Sequence, residues 1–137
     1  MLSIFTAHAK EIKVCETCDV TSVQTAVDMA QDGDIIKIKS GIYKEHDITI
    51  IDKSIQIIGE NFPVIDAEMK GAGLSIRAEN FSVEGLKIIN IGTSHTSDFA
   101  AILISNSDNF RIENNKLENI FFGFLVERSS NGIIAGN

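Results

Sequence analysis

Apolar residues fall in short alternating bursts along this chain, and the bursts recur. The segment Asn80-Phe-Ser-Val-Glu-Gly-Leu-Lys-Ile-Ile-Asn-Ile91 matches Asn109-Phe-Arg-Ile-Glu-Asn-Asn-Lys-Leu-Glu-Asn-Ile120 at six of twelve positions. Its start returns as Ser129-Ser-Asn-Gly-Ile-Ile-Ala-Gly-Asn137, and a fainter copy reads Ser54-Ile-Gln-Ile-Ile-Gly59. Alternation of this kind marks strands with one buried face. Repetition with a period in the low twenties predicts that the strands stack coil upon coil as a β-solenoid, each coil covering its neighbour.

Aligning the copies gives columns. Ile55, Phe81, Phe110 and Gly132 form one, and Ile57, Val83, Ile112 and Ile134 form another two residues on, so both point inward. Gly59, Gly85, Asn114 and Gly136 follow as a corner, because Gly and Asn tolerate positive φ. Ser54, Asn80, Asn109 and Asn131 read as a second corner with a ladder of side-chain amides. Leu74 and Ile76, Ile102 and Ile104, and Phe124 and Val126 supply a further strand per coil. Ile88, Ile91, Leu117 and Ile120 supply the third side.

The copies are spaced by 26, 29 and 22 residues, so the last is the bare coil and the others carry insertions. These fall near Met69-Lys-Gly-Ala-Gly73 and Gly92-Thr-Ser-His-Thr-Ser-Asp98. Such loops gather on one side of a solenoid and commonly make its binding face. Ahead of the coils a helix is expected over 21–31. Thr21 and Gln24 have capping-box spacing, Val23, Ala26, Val27 and Ala30 form its apolar stripe, and Gly33 lies near its end. Laid across the first coil, it would blunt an open strand edge. No cap follows the last copy, and further C-terminal coils are expected to be missing.

Composition narrows the function. A net charge of -7 over 137 residues argues against nucleic acid and anionic membrane surfaces as partners. Residues 1–9 read as the tail of a secretory signal with Ala7-His8-Ala9 as its cleavage site, leaving 10–137 as the β-helix domain of an exported protein.

Candidate chemistry is sparse. Cys15-Glu-Thr-Cys18 holds both cysteines, and three readings compete: a local disulfide, a soft-metal dithiolate suited to copper, and a thioredoxin-type redox motif. His46, His95, Met69 and Asp98 are loop residues that could add metal ligands, although no His-x-His spacing is present. Glu84 and Glu113 share a column, one coil apart. They project from the same face and so make a poor acid and nucleophile pair for glycoside cleavage; a solvated face screened by Arg111 is the better reading. Phosphate-binding and serine-hydrolase motifs are lacking.

From about Val20 to Asn137 the chain resembles the periplasmic NosD proteins. The resemblance rests on Ser22-Val-Gln-Thr-Ala-Val-Asp28, Asp32-Gly-Asp-Ile-Ile-Lys-Ile38, Gly41-Ile-Tyr-Lys-Glu45, Ile51-Asp-Lys-Ser-Ile-Gln-Ile-Ile-Gly59 and Pro63-Val-Ile-Asp66, in that order. It implies a right-handed single-stranded parallel β-helix with a short capping helix, an all-β fold shared with carbohydrate-active families. It also implies a non-enzymatic periplasmic scaffold that works with a membrane ABC transporter in supplying copper to nitrous-oxide reductase. Cys15, Cys18, His46, His95 and Met69 are then the candidate copper ligands. Polysaccharide lyases open with similar blocks, so a polysaccharide lyase or glycosidase of the pectin-lyase-like type is the alternative.

Overall fold

The structure, a computed structural model, describes residues 9–94, 96–97 and 99–137. The expected leader segment lies outside these, apart from Ala9. Strand β1 (Glu11–Val14) and helix α1 (Val23–Met29) precede the coils. The first coil holds β2 (Ile35–Ile38), β3 (Ile42–Tyr43) and β4 (Ile48–Ile51); the second holds β5 (Gln56–Gly59), β6 (Val64–Asp66) and β7 (Leu74–Arg77). The third holds β8 (Glu79–Glu84), β9 (Lys87–Ile89) and β10 (Ala100–Ser105); the fourth holds β11 (Asp108–Glu113), β12 (Lys116–Glu118) and β13 (Phe122–Glu127). Strand β14 (Ser130–Ala135) opens a fifth.

Three parallel sheets result. The first runs β1-β2-β5-β8-β11-β14, the second β3-β6-β9-β12 and the third β4-β7-β10-β13. The expected all-β parallel solenoid with one short helix is therefore the fold observed.

The inner columns explain why these residues make these strands. Ile12, Ile36, Ile57, Val83, Ile112 and Ile134 are in register along the first sheet. Tyr43, Ile65, Ile88 and Leu117 line the second, and Ile48, Leu74, Ile102 and Phe124 the third. Most are β-branched, stiff at χ1 and suited to a pleated wall. Burying each such side chain stabilises by about 1.5–3 kcal/mol. Phe81 and Phe110 stack with ring centroids 5.3 Å apart. The Phe110 ring fills the place a Cβ of residue 132 would take, which is why the column continues as Gly132.

Two expectations about the corners need correction. Gly85, Asn114 and Gly136 do adopt positive φ (75°, 57° and 67°), but Gly59 does not. Gly59 answers to crowding instead: a Cβ there would strike the Gly85 carbonyl and the Pro63 ring. The column Asn80, Asn109 and Asn131 has φ of 53°, 54° and 55°, yet it carries no continuous amide ladder. Asn109 Nδ2 donates to Asn80 Oδ1 at 2.6 Å, while Asn131 Nδ2 turns to Asp108 Oδ1 at 2.7 Å. That bond and one from Ser130 hold the Asp108 carboxyl below its usual pKa.

The helix is shorter than expected and differently capped. Ser22, not Thr21, is the N-cap. Glu45 reaches in from the first coil, accepting from Ser22 Oγ at 2.9 Å, Val23 N–H at 2.8 Å and Gln24 N–H at 3.0 Å. These bonds satisfy donors that the first turn leaves orphaned. Lys53 Nζ donates to the Val27 and Asp28 carbonyls at the other end. Gln24 does not close a capping box. Its amide accepts from Thr49 N–H at 2.7 Å and donates to the Thr49 carbonyl at 3.1 Å, standing in for the strand that β4 lacks on that side.

Beneath the first coil, Tyr43 is buried and its hydroxyl donates to the Lys39 carbonyl at 2.7 Å. Burial raises its pKa, with a smaller contribution from Glu45. Asp34 accepts from Gln31 N–H at 2.8 Å and Lys10 N–H at 3.0 Å, and these bonds hold its buried carboxyl below the usual range. The Gly-Ile-Tyr-Lys-Glu block is thus explained by capping.

Candidate functional site

The corner between the second and third sheets carries the largest length variation of this solenoid. Its four turns are residues 44–47, 67–73, 90–99 and 119–121. Both expected insertions therefore lie at this one corner, in successive coils.

A side-chain ladder holds these turns in line. Asn119 Nδ2 donates to Asn90 Oδ1 at 2.8 Å, and Asn90 Nδ2 donates to Asp66 Oδ1 at 3.0 Å. Asn90 and Asn119 have φ of 58° and 52°, the left-handed conformation that Asn accepts more readily than most residues. Asp47 clasps the first insertion: its N–H donates to the Ala72 carbonyl at 2.7 Å, and its Oδ1 accepts from Ala72 N–H at 3.1 Å. Gly71 is required there, because a Cβ would run into the Asp47 carboxylate. The second insertion docks on the first through Gly92 N–H, which donates to the Gly71 carbonyl at 2.9 Å.

Between the second insertion and the turn below it lies a cleft of about 370 Å³, lined by Gly92, Thr93, Ser94, Ser97, Phe99, Phe121 and Phe122. Phe121 is 77% exposed. It meets Phe122 edge to face with centroids 4.9 Å apart, an arrangement that aromatic quadrupoles favour. Phe122 is anchored at the start of β13, paired with the buried Ala100 of β10. None of the described lining residues is charged. Lys70 of the first insertion pairs with Glu68 at 3.6 Å, and Lys87 of β9 pairs with Glu118 at 3.2 Å. A cleft whose described lining is uncharged and combines exposed aromatic rings with several hydroxyls suits a ligand that has both apolar faces and a hydroxyl rim.

The four expected ligands among the described residues, Cys15, Cys18, His46 and Met69, are not drawn together. Cys15 and Cys18 are joined in a disulfide, so neither sulfur is a thiolate able to bind copper as the chain stands. They lie in the capping segment below the turn from β2 to β3, where Lys39 N–H donates to the Val14 carbonyl. His46 and Met69 belong to the corner with the cleft. There His46 Nδ1 sits 2.7 Å from Asp47 Oδ2, and Asn119 Nδ2 lies 3.9 Å from Met69 Sδ. His95 and Asp98 lie outside the described residues. Among the described residues no cluster of three or more His, Cys, Asp or Glu side chains could hold a metal ion.

Glu84 and Glu113 are adjacent on the outer side of the first sheet, as their column requires. Arg111 Nη1 meets Glu113 Oε1 at 3.0 Å, consistent with a screened, solvated face.

Sequence reasoning missed Phe99, Phe121 and Phe122. One signal was available: successive strand residues face opposite ways, so adjacent phenylalanines cannot both enter the core.

No protein-family model matches the chain, and no curated protein sequence matches it. Solved structures do, and what they share with it is the parallel β-helix fold. Among them is a pectin methylesterase in complex with a hexasaccharide, at TM-score 0.71 and 19% identity over 95% of this chain. The pectin methylesterase from Aspergillus niger matches at TM-score 0.67 and 17% identity over 98%. The chain spans about half the length of each, 50% and 53%. At this identity the likeness is one of fold.

Proposed function

We propose that this chain is the polysaccharide-engaging part of an exported β-helix protein, and that the corner between the second and third sheets is where the polymer is held. The observation that carries the reading is the cleft, where an exposed aromatic pair faces the hydroxyl-bearing residues Thr93, Ser94 and Ser97. Two further points support it. Structures sharing the fold include pectin methylesterases, one of them in complex with a hexasaccharide. The Cys15–Cys18 disulfide suits an oxidising compartment outside the cytosol.

The proposal is one of binding. The carboxylates of the first sheet project from one face and Glu113 is tied to Arg111, so they do not flank a bond as glycoside cleavage requires. Copper supply to nitrous-oxide reductase with an ABC transporter is the reading implied by the order of sequence blocks. It draws no support from this corner, where His46 is engaged by Asp47.

Retention of the oxidised chain on a panel of insoluble polysaccharides tests the proposal. Retention on at least one polymer, reversed by its soluble form, is expected. No retention on any neutral or acidic polymer, together with tight Cu(I) binding through His46 and Met69, would return the copper reading to first place.

A further inference from the structure

We infer that the Phe99, Phe121 and Phe122 cleft is a subsite for a neutral sugar ring, one whose apolar face lies against Phe121. The inference deepens the proposed polysaccharide reading and rests on it.

The first ground is the state of Phe121 itself. An apolar ring left 77% exposed gives up the burial that its side chain would gain in the core. Its edge-to-face contact with Phe122 nevertheless fixes its direction. With only two side-chain torsions to immobilise, a held phenylalanine offers a large contact surface at low entropic cost. The turn that carries it is fixed as well, since Asn119 is locked in positive φ by its bond to Asn90. Ring and turn are therefore preorganised.

The second ground is the rim. Thr93, Ser94 and Ser97 bring hydroxyls that both donate and accept, the capacity needed to meet sugar hydroxyls of either role. Ser94 Oγ already accepts from Thr96 N–H at 3.1 Å, which fixes its oxygen in the loop. A peptide strand would instead seek free backbone groups. At this corner the Gly92 and Thr96 N–H groups are already committed.

The third ground is charge. The described lining carries none, Lys70 and Lys87 are paired with glutamates, and the chain as a whole bears -7. A polyuronate would meet long-range repulsion with no cation among the described lining residues to offset it. A neutral ring meets neither.

Native affinity electrophoresis of the whole chain separates the outcomes. The neutral probes are hydroxyethylcellulose, galactomannan and fully methyl-esterified homogalacturonan; the anionic probe is polygalacturonate. Retardation by a neutral probe, insensitive to salt, is expected. Phe121→Ala should weaken it at least about tenfold without changing the melting temperature, and Asn119→Ala should weaken it less. Retardation by polygalacturonate alone, lost at high salt and untouched by Phe121→Ala, would overturn the inference and leave the polysaccharide reading standing. Neutral binding that survives Phe121→Ala would overturn this subsite. Retardation by none of the probes would overturn the polysaccharide reading with it.

Discussion

At the corner between the first and second sheets, the third coil turns through Gly85 and Leu86 and the fourth through Asn114 and Asn115. At the corner between the second and third sheets, the same two coils turn through residues 90–99 and 119–121. The first corner uses its polar groups to hold coil to coil. Buried Asn115 accepts from Leu86 N–H at 3.0 Å and donates to the Val83 carbonyl at 3.3 Å and to Asn137 Oδ1 at 2.9 Å. An inserted residue there would orphan buried donors and acceptors. At the second corner the ladder Asp66, Asn90 and Asn119 lies at the turn entrances, and the residues beyond it are free to vary in number. In the third and fourth coils the first corner is thus held at two residues, while the second can expose aromatic side chains without loss of the stack.

The largest test of this contrast lies in the column beside the first corner. Phe110→Ala removes a ring stacked on Phe81 and packed over Gly132. It is expected to cost about 3–5 kcal/mol in urea unfolding, as for other buried phenylalanines. Asn115→Ala comes next. It strips the partner from the Leu86 N–H, and a loss of about 2–3 kcal/mol is expected, since a buried donor left unmade costs its desolvation. A loss below about 0.5 kcal/mol would mean that the first corner is not held as described.

A third test uses pH. The Asp34 carboxyl lies below the ordinary value of 3.8 because Gln31 and Lys10 N–H groups donate to it in the folded chain. A folded pKa that is depressed contributes stability above the unfolded value, and that stability is lost as pH falls through the folded one. Asp34→Asn should therefore be less stable than the parent at pH 6 by roughly 1.5–3 kcal/mol, the worth of hydrogen bonds to a charged group. The difference should shrink as pH falls below the ordinary aspartate range. A gap that stays constant across that range would remove the carboxylate from the account. The smallest expected effect on stability is at the second corner, where Phe121→Ala should change it by no more than about 0.5 kcal/mol, as for other exposed positions.

The sequence made the solenoid legible because stacking imposes a column, and Ile57, Val83, Ile112 and Ile134 leave that column in plain view. It was less informative where one residue type serves two purposes. Gly59 and Gly85 look alike in an alignment, yet Gly85 needs its φ of 75° and Gly59 needs only its missing Cβ. The amide ladder expected along Asn80, Asn109 and Asn131 forms only in part, and a second one went unread for the same reason. Asn80 and Asn109 recur as visibly as Asn90 and Asn119, but only the latter pair continues the chain of bonds to Asp66. The helix cap was out of reach because its main acceptor, Glu45, is remote in sequence from Val23 and Gln24. The placement of the insertions was readable from the spacing, and the cleft was not. It depends on Phe121 and the loop of Gly92 to Phe99 meeting across a coil, which no local pattern records.

Amide hydrogen exchange of the whole chain, with and without a saturating neutral polysaccharide that it retains, tests the division between the two corners most directly. Added protection is expected in peptides covering 90–99 and 119–122, with none at 83–87 or 112–116. Protection gained along the first sheet, or spread evenly over both corners, would contradict the assignment of binding to the second corner.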